Sequence, residues 1–153
     1  FFVTAITLGC LESSAKERQF DPTLNLETQL KKNRAMSGES IVCIYTLTNT
    51  GKSVVKACLS AVPPRYEFVG VHGFYGGKDT WVDHPMCGEK FAIGPGKSYS
   101  FERKIEIKDL EIGSYKIKGN VDVLDPTSCG SFGCKGVTIE SSSEPVLDVV
   151  VKE

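Results

Sequence analysis

The sequence predicts an all-β protein, an immunoglobulin-like antiparallel β-sandwich of about 7–9 strands. Three observations predict it. Short apolar runs recur along the 153 residues, separated by Gly, Pro and Asn clusters at intervals of about 8 to 15 residues. Two of the runs, Tyr99–Ile107 and Tyr115–Val123, alternate apolar and polar residues at period two, as strands with one wet face do. No stretch carries the 3.6-residue period of an amphipathic helix.

Composition bounds the rest. The length suits one domain with a single hydrophobic core. The formal net charge is −1 with both signs scattered, so the basic footprint of a nucleic-acid binder is missing. No apolar run approaches the roughly 20 residues of a membrane-spanning helix.

The elements follow in order. Phe1–Cys10 is an apolar run ending in Leu8-Gly9-Cys10, and the polar stretch Glu12–Arg18 follows it. It reads as the end of a secretory signal. Leu8-Gly9-Cys10 resembles a lipoprotein box, which implies lipidation at Cys10 and attachment to a membrane. The expected organisation is a partial signal peptide over residues 1–9, a tether over 10–21 and one sandwich domain over 22–153. Asp21-Pro22-Thr23 marks a turn. Leu24, Leu26, Thr28 and Leu30 then alternate with polar neighbours, which predicts a half-buried strand. Lys31–Arg34 reads as a solvated basic loop.

Ser40–Asn49 and Val54–Leu59 are apolar, β-branched runs around an Asn-Thr-Gly-Lys turn, the signature of a hairpin. Pairing Asn49 with Lys52 would set Cys43 opposite Cys58, close enough for a disulfide. Were this connection to cross between two sheets instead, either cysteine could meet Cys87. Pro63-Pro64 ends the strand. Tyr66–Val71 reads as the next strand, His72–Lys78 as a loop or hairpin tip, Thr80–Val82 as a short strand, and Asp83–Gly88 as irregular. Gly94-Pro95-Gly96-Lys97 is a turn before the two best strands. Asp125–Gly136 is a long loop that Cys129 and Cys134 are expected to staple. Val137–Ile139 and Val146–Val151 complete the chain.

Six cysteines without a CxxC pair argue for disulfides in an oxidising compartment rather than structural zinc. The expected pairs are Cys43 with Cys58 and Cys129 with Cys134. With the apolar N-terminus, they predict an extracytoplasmic, membrane-anchored protein of the cell surface or periplasm.

Three motifs carry a family resemblance over about residues 35 to 124: Ser37-Gly-Glu-Ser40 with Tyr45-Thr-Leu-Thr-Asn-Thr-Gly51, then Ile93–Phe101, then Gly113-Ser-Tyr-Lys-Ile117. Their order resembles the CARDB-type and DUF11-type modules of prokaryotic surface proteins. It is also similar to the BsuPI type of proteinase-inhibitor domain. The first resemblance implies contact with a protein or an envelope polymer, and the second implies loops presented to a protease cleft.

Catalysis needs convergent groups, and the chain has two histidines, His72 and His84, with no HExxH, GxSxG or phosphate loop. No enzyme activity and no cofactor are expected. His84, Met86 and Cys87, with His72 near by, are donors of the kind copper prefers, which makes a metal module a third reading. Phe74, Tyr75, Trp81 and His84 lie among loop glycines and are the candidate binding surface, since exposed loop aromatics act as recognition anchors. The functional expectation is a non-catalytic envelope lipoprotein for binding or structural support. The runner-up is a peptidase inhibitor, which would slow a protease at stoichiometric concentration.

Overall fold

The computed structural model describes residues 20–61, 64–70, 73–76, 85–108 and 110–151, with the side chains of 65, 70 and 73–76 outside the description. Among these residues eleven strands form two sheets. They are β1 Leu24–Leu30, β2 Arg34–Met36, β3 Ser40–Asn49, β4 Val55–Ser60, β5 Arg65–Gly70, β6 Gly73–Gly76, β7 Cys87–Ile93, β8 Ser98–Glu106, β9 Gly113–Leu124, β10 Gly136–Glu140 and β11 Val146–Val150. The helical content among them is one 3-10 turn, Pro126–Ser128.

The smaller sheet has the order β1-β3-β8 and is antiparallel throughout. The larger has the order β2-β11-β9-β4-β7, with β10 and β5 also on β9 and β6 on β5. β9 is its axis. Lys116 pairs with both Val146 and Val69, and Leu124 with both Gly136 and Cys58. One edge of β9 therefore carries β11 and then β10, and the other carries β5 and then β4. Period-two alternation sends Ile117, Val121 and Val123 of β9 inward against Ile41, Tyr45 and Leu47 of β3, all buried.

The predicted hairpin after Asn49 does not form. Both edges of β3 are occupied, by β1 and β8, so the chain crosses to the other sheet, where β4 pairs with β7 and β9. Asn49 holds this crossing. It is fully buried. Its Nδ2 donates to the carbonyls of Ser53 (2.7 Å) and Ile93 (2.8 Å), and its Oδ1 accepts from Gly51 N–H (2.9 Å) and Thr23 Oγ1 (3.1 Å). One amide thus joins the starts of β1 and β4 to the end of β7.

Three further segments find their places in the fold. The basic stretch at Lys31–Arg34 runs into β2, a short strand parallel to β11. The Glu39 carboxylate closes the turn after it, accepting from Met36 N–H (2.9 Å) and Lys32 Nζ (3.1 Å). These bonds, the Met36 amide first, hold Glu39 below its ordinary value. A depressed carboxylate contributes stability above its unfolded pKa and loses it as pH falls through the folded one. Protection of the Met36 amide, its exchange rate taken relative to the intrinsic rate at the same pH, should therefore fall on acidification below the usual glutamate range, and Glu39→Gln should flatten that response. The segment from Cys87, expected to be irregular, begins β7. The tip after Tyr66–Val71 is the β5–β6 hairpin, in which Val69 pairs with Phe74.

The two open sides of the sandwich are closed differently. On one, the run Ser141-Ser142-Ser143 clamps β1. Thr28, buried in β1, shares a hydroxyl bond with Ser141 Oγ (2.9 Å), and its N–H donates to Ser143 Oγ (2.7 Å). Ser142 N–H donates to Leu26 O (2.8 Å). These bonds satisfy backbone groups that an edge strand would otherwise present. On the other side, aromatic rings fill the gap: Phe91 of β7 stacks on Tyr99 of β8 at 5.0 Å and so bridges the two sheets, while Phe101 of β8 stacks at 5.3 Å on Tyr45, its cross-strand partner in the smaller sheet. Arg103 interrupts the inward alternation of β8, with its guanidinium 4.9 Å from the centre of the Phe101 ring. An inward-pointing charge on an edge strand discourages pairing with another chain.

The close approach of the sheets depends on Gly119. A methyl there would lie 2.7 Å from Thr28 Cγ2 and 2.9 Å from Tyr45 Cε1. Gly119→Ala should lower stability by about 1–3 kcal/mol as overpacking, read as a shift of the urea midpoint. An unchanged midpoint would show that the sheets can part at no cost.

Candidate binding surface on the disulfide-anchored loop

The loop after β9 is built from short-range bonds. Asp125 accepts through Oδ1 from Thr127 N–H (2.9 Å) and Thr127 Oγ1 (2.7 Å), which starts the 3-10 turn. Ser128 Oγ accepts from Lys135 N–H (2.8 Å), and Asp125 N–H donates to Lys135 O (2.8 Å). Beyond this neck, Gly130 and Gly133 exchange backbone bonds of 3.0 and 3.1 Å, leaving Ser131 and Phe132 as the two central residues of a tight turn. Gly133 has φ +86°, a conformation that favours glycine.

Two disulfides anchor the structure. Cys129 joins Cys134 across the turn, as expected, and Cys58 joins Cys87. Cys58, Leu124 and Cys134 form a small buried cluster of their own, with Cys87 packed on it. Cys134 N–H also donates to Pro85 O (2.8 Å). The tip is thus fixed to β4, β7 and β9 together. It carries Phe132, whose side chain is 83% exposed, and Met86, 51% exposed, follows Pro85 beside it.

The Cys43–Cys58 pair is corrected. Cys43 is a buried free thiol facing the core of the smaller sheet, while Cys58 lies in the larger one. Once the chain crosses between sheets, the two cannot meet, and Cys58 finds the adjacent strand's Cys87. Burial pushes the Cys43 thiol up to about 11, so the nucleophilic thiolate is scarce at neutral pH. Cys43 should resist iodoacetamide in the folded protein and react on denaturation, as read by peptide mapping. Rapid labelling in native buffer would show that the core opens readily.

The other predicted site residues fare as follows. Cys87 is removed from the metal-donor set by its disulfide, and Met86 points into solvent. Phe74 and Tyr75 lie on β6, with side chains outside the description. Cys10, His72, Trp81 and His84 lie outside the described residues. Among the described residues no group of three or more His, Cys, Asp or Glu side chains could hold a metal ion. Sequence reasoning passed over Phe132. The available signal was its place between two glycines inside a six-residue cysteine loop, where no strand can bury it.

Among the described residues, two open depressions flank the sandwich. One, of about 410 Å³, lies between the entering chain at Phe20–Thr23, the crossing turn and Asp125. The other, of about 480 Å³, lies at the start of β9 and is lined by Met36, Glu39, Ile112 and Val151 among others.

No protein-family model and no curated protein matches the chain. Among solved structures it is similar to Spo0M, a sporulation control protein from Bacillus subtilis, at 17% identity and a TM-score of 0.46. That alignment covers 86% of this chain and 51% of Spo0M, so the chain spans about half the length of that relative. The structural-genomics target SoR45 aligns at 15% identity and a TM-score of 0.44, covering 86% of this chain and 90% of the target. A PapD-like domain of human CEP192 aligns at 14% identity and a TM-score of 0.36, covering 90% and 94%. These are distant likenesses, and the sandwich architecture rests on the strand pairing described above.

Proposed function

We infer that this chain is a non-catalytic β-sandwich module of the cell envelope, lipid-anchored at Cys10, that binds a protein or an envelope polymer or gives structural support there. The observation that carries the reading is the pair of disulfides packed together beneath one loop. Such bonds persist in oxidising, extracytoplasmic compartments. They also hold a loop in fixed geometry on a rigid scaffold, the arrangement in which loops serve recognition.

The test is intact mass and fractionation of the protein expressed with its full leader. The expected result is an envelope-bound chain, acylated at Cys10, that gains the mass of four hydrogens when its two disulfides are reduced. A cytoplasmic chain with every thiol reduced would overturn the envelope assignment.

A further inference from the structure

We propose that Cys129 is a site of reversible thiolation by a small thiol, with Cys134 as the resolving cysteine that closes the disulfide again. The proposal rests on the envelope reading above, which requires the disulfides to form, and adds a chemistry to the loop assigned there to recognition.

The two disulfides differ in how a thiol can reach them. Exchange proceeds by attack of a thiolate on one sulfur of the bond, so access decides which sulfur reacts. Cys129 is exposed, whereas its partner Cys134 is buried at 6% beside Leu124. In the inner bond, Cys58 is fully buried and Cys87 half-buried. Attack is therefore directed to the outer disulfide, and within it to Cys129. An incoming thiolate forms a new S–S bond to Cys129 Sγ as the Cys129–Cys134 bond breaks. The electron pair leaves on Cys134 Sγ, which takes up a proton.

The fold holds the opened form ready to close. Cys129 and Cys134 face each other across a hairpin that has other bonds on both sides of them. On one side Lys135 N–H donates to Ser128 Oγ (2.8 Å), and on the other Gly130 and Gly133 exchange backbone bonds of 3.0 and 3.1 Å. Cys134 N–H is held separately by Pro85 O (2.8 Å). None of these bonds needs the disulfide, so the two sulfurs stay opposed when it opens. Once the excess of small thiol is gone, the Cys134 thiolate attacks Cys129 Sγ and expels the small thiol, which restores the original bond without an added oxidant. Where Cys129 carries a free thiol, Asp125 O lies 3.7 Å from its Sγ as an acceptor. The device gives the loop two covalent states on one backbone.

The test uses the purified, oxidised full chain, its two disulfides first confirmed by mass. It is incubated with glutathione at neutral pH, quenched with acid and peptide-mapped. The expected result is a glutathione adduct on Cys129, a free thiol at Cys134 and an intact Cys58–Cys87 bond, the outer disulfide opening at least about tenfold faster than the inner one. Removal of glutathione should restore the Cys129–Cys134 pair. The buried Cys43 thiol should stay unlabelled by iodoacetamide throughout, which shows that the core remains closed while the loop reacts. Two variants report access independently. Cys134→Ser should leave a Cys129 thiol that alkylates within about threefold of an unstructured peptide, and Cys129→Ser a Cys134 thiol at least about tenfold slower. Equal rates in the two variants, an adduct on Cys134 or Cys87 instead, or labelling of Cys43 in step with the adduct would overturn the site. Reduction by thioredoxin without any glutathione adduct would also overturn it, in favour of a protein dithiol. A chain isolated with both disulfides that forms no adduct sinks this proposal alone. A chain that never forms its disulfides sinks the envelope reading with it.

Discussion

Phe101→Ala should cost roughly 3–5 kcal/mol, the range for truncating a buried aromatic. Phe101 is 7% exposed and lies nearly parallel to Tyr45, with an interplanar angle of 8°. Tyr99 lies 6.0 Å away on the same strand. Truncation would open a cavity on the inner face of the smaller sheet, next to Tyr99, whose stack on Phe91 bridges to the other sheet. It would also remove the ring that Arg103 covers, leaving an inward-pointing guanidinium without its packing partner. Both effects act in the same direction. A urea melt measures the loss. A change below about 1 kcal/mol would mean that Phe101 is not part of the packed core.

Asn49→Ala should cost a similar amount, roughly 3–5 kcal/mol, for a different reason. Little apolar area disappears. The substitution instead strands four partners: the Gly51 N–H, the Thr23 hydroxyl and the carbonyls of Ser53 and Ile93. A buried group left unpaired costs about 1–3 kcal/mol, and the partners nearest the surface recover part of this from water. Asn49→Asp keeps the shape but turns an oxygen toward two carbonyls, so it should be no better than alanine. A near-neutral Asn49→Asp would show that Nδ2 does not donate to these carbonyls.

Asn49 also shows where the sequence stops being legible. An Asn-Thr-Gly-Lys step between two apolar runs describes a tight reversal equally well within one sheet and between two. The choice depends on Thr23 and Ile93, far away along the chain, and on β1 and β8 having filled both edges of β3. The disulfide partner of Cys58 inherits that ambiguity, because pairing needs topology. β8 and β9 were readable because one face of each is wet and alternation is unbroken over most of their length. β7 was not, since only Phe91 and Ile93 of its seven residues turn inward as buried apolar side chains. Phe132 runs against the expectation that phenylalanine is buried, and its exposure follows from a turn whose geometry is set by the disulfide and two glycines.

The serine clamp and the β2–β11 pairing bear on how the molecule comes into being. β1 is secured by Ser141–Ser143, and β2 pairs along Asp148–Val150. The first strands thus wait for residues 141–150. Contacts this distant along the sequence make for slow folding. A chain emerging vectorially holds β1 and β2 unclosed until residues 141–150 appear. A premature stop near residue 140 would therefore yield an open, aggregation-prone intermediate rather than a shortened native module.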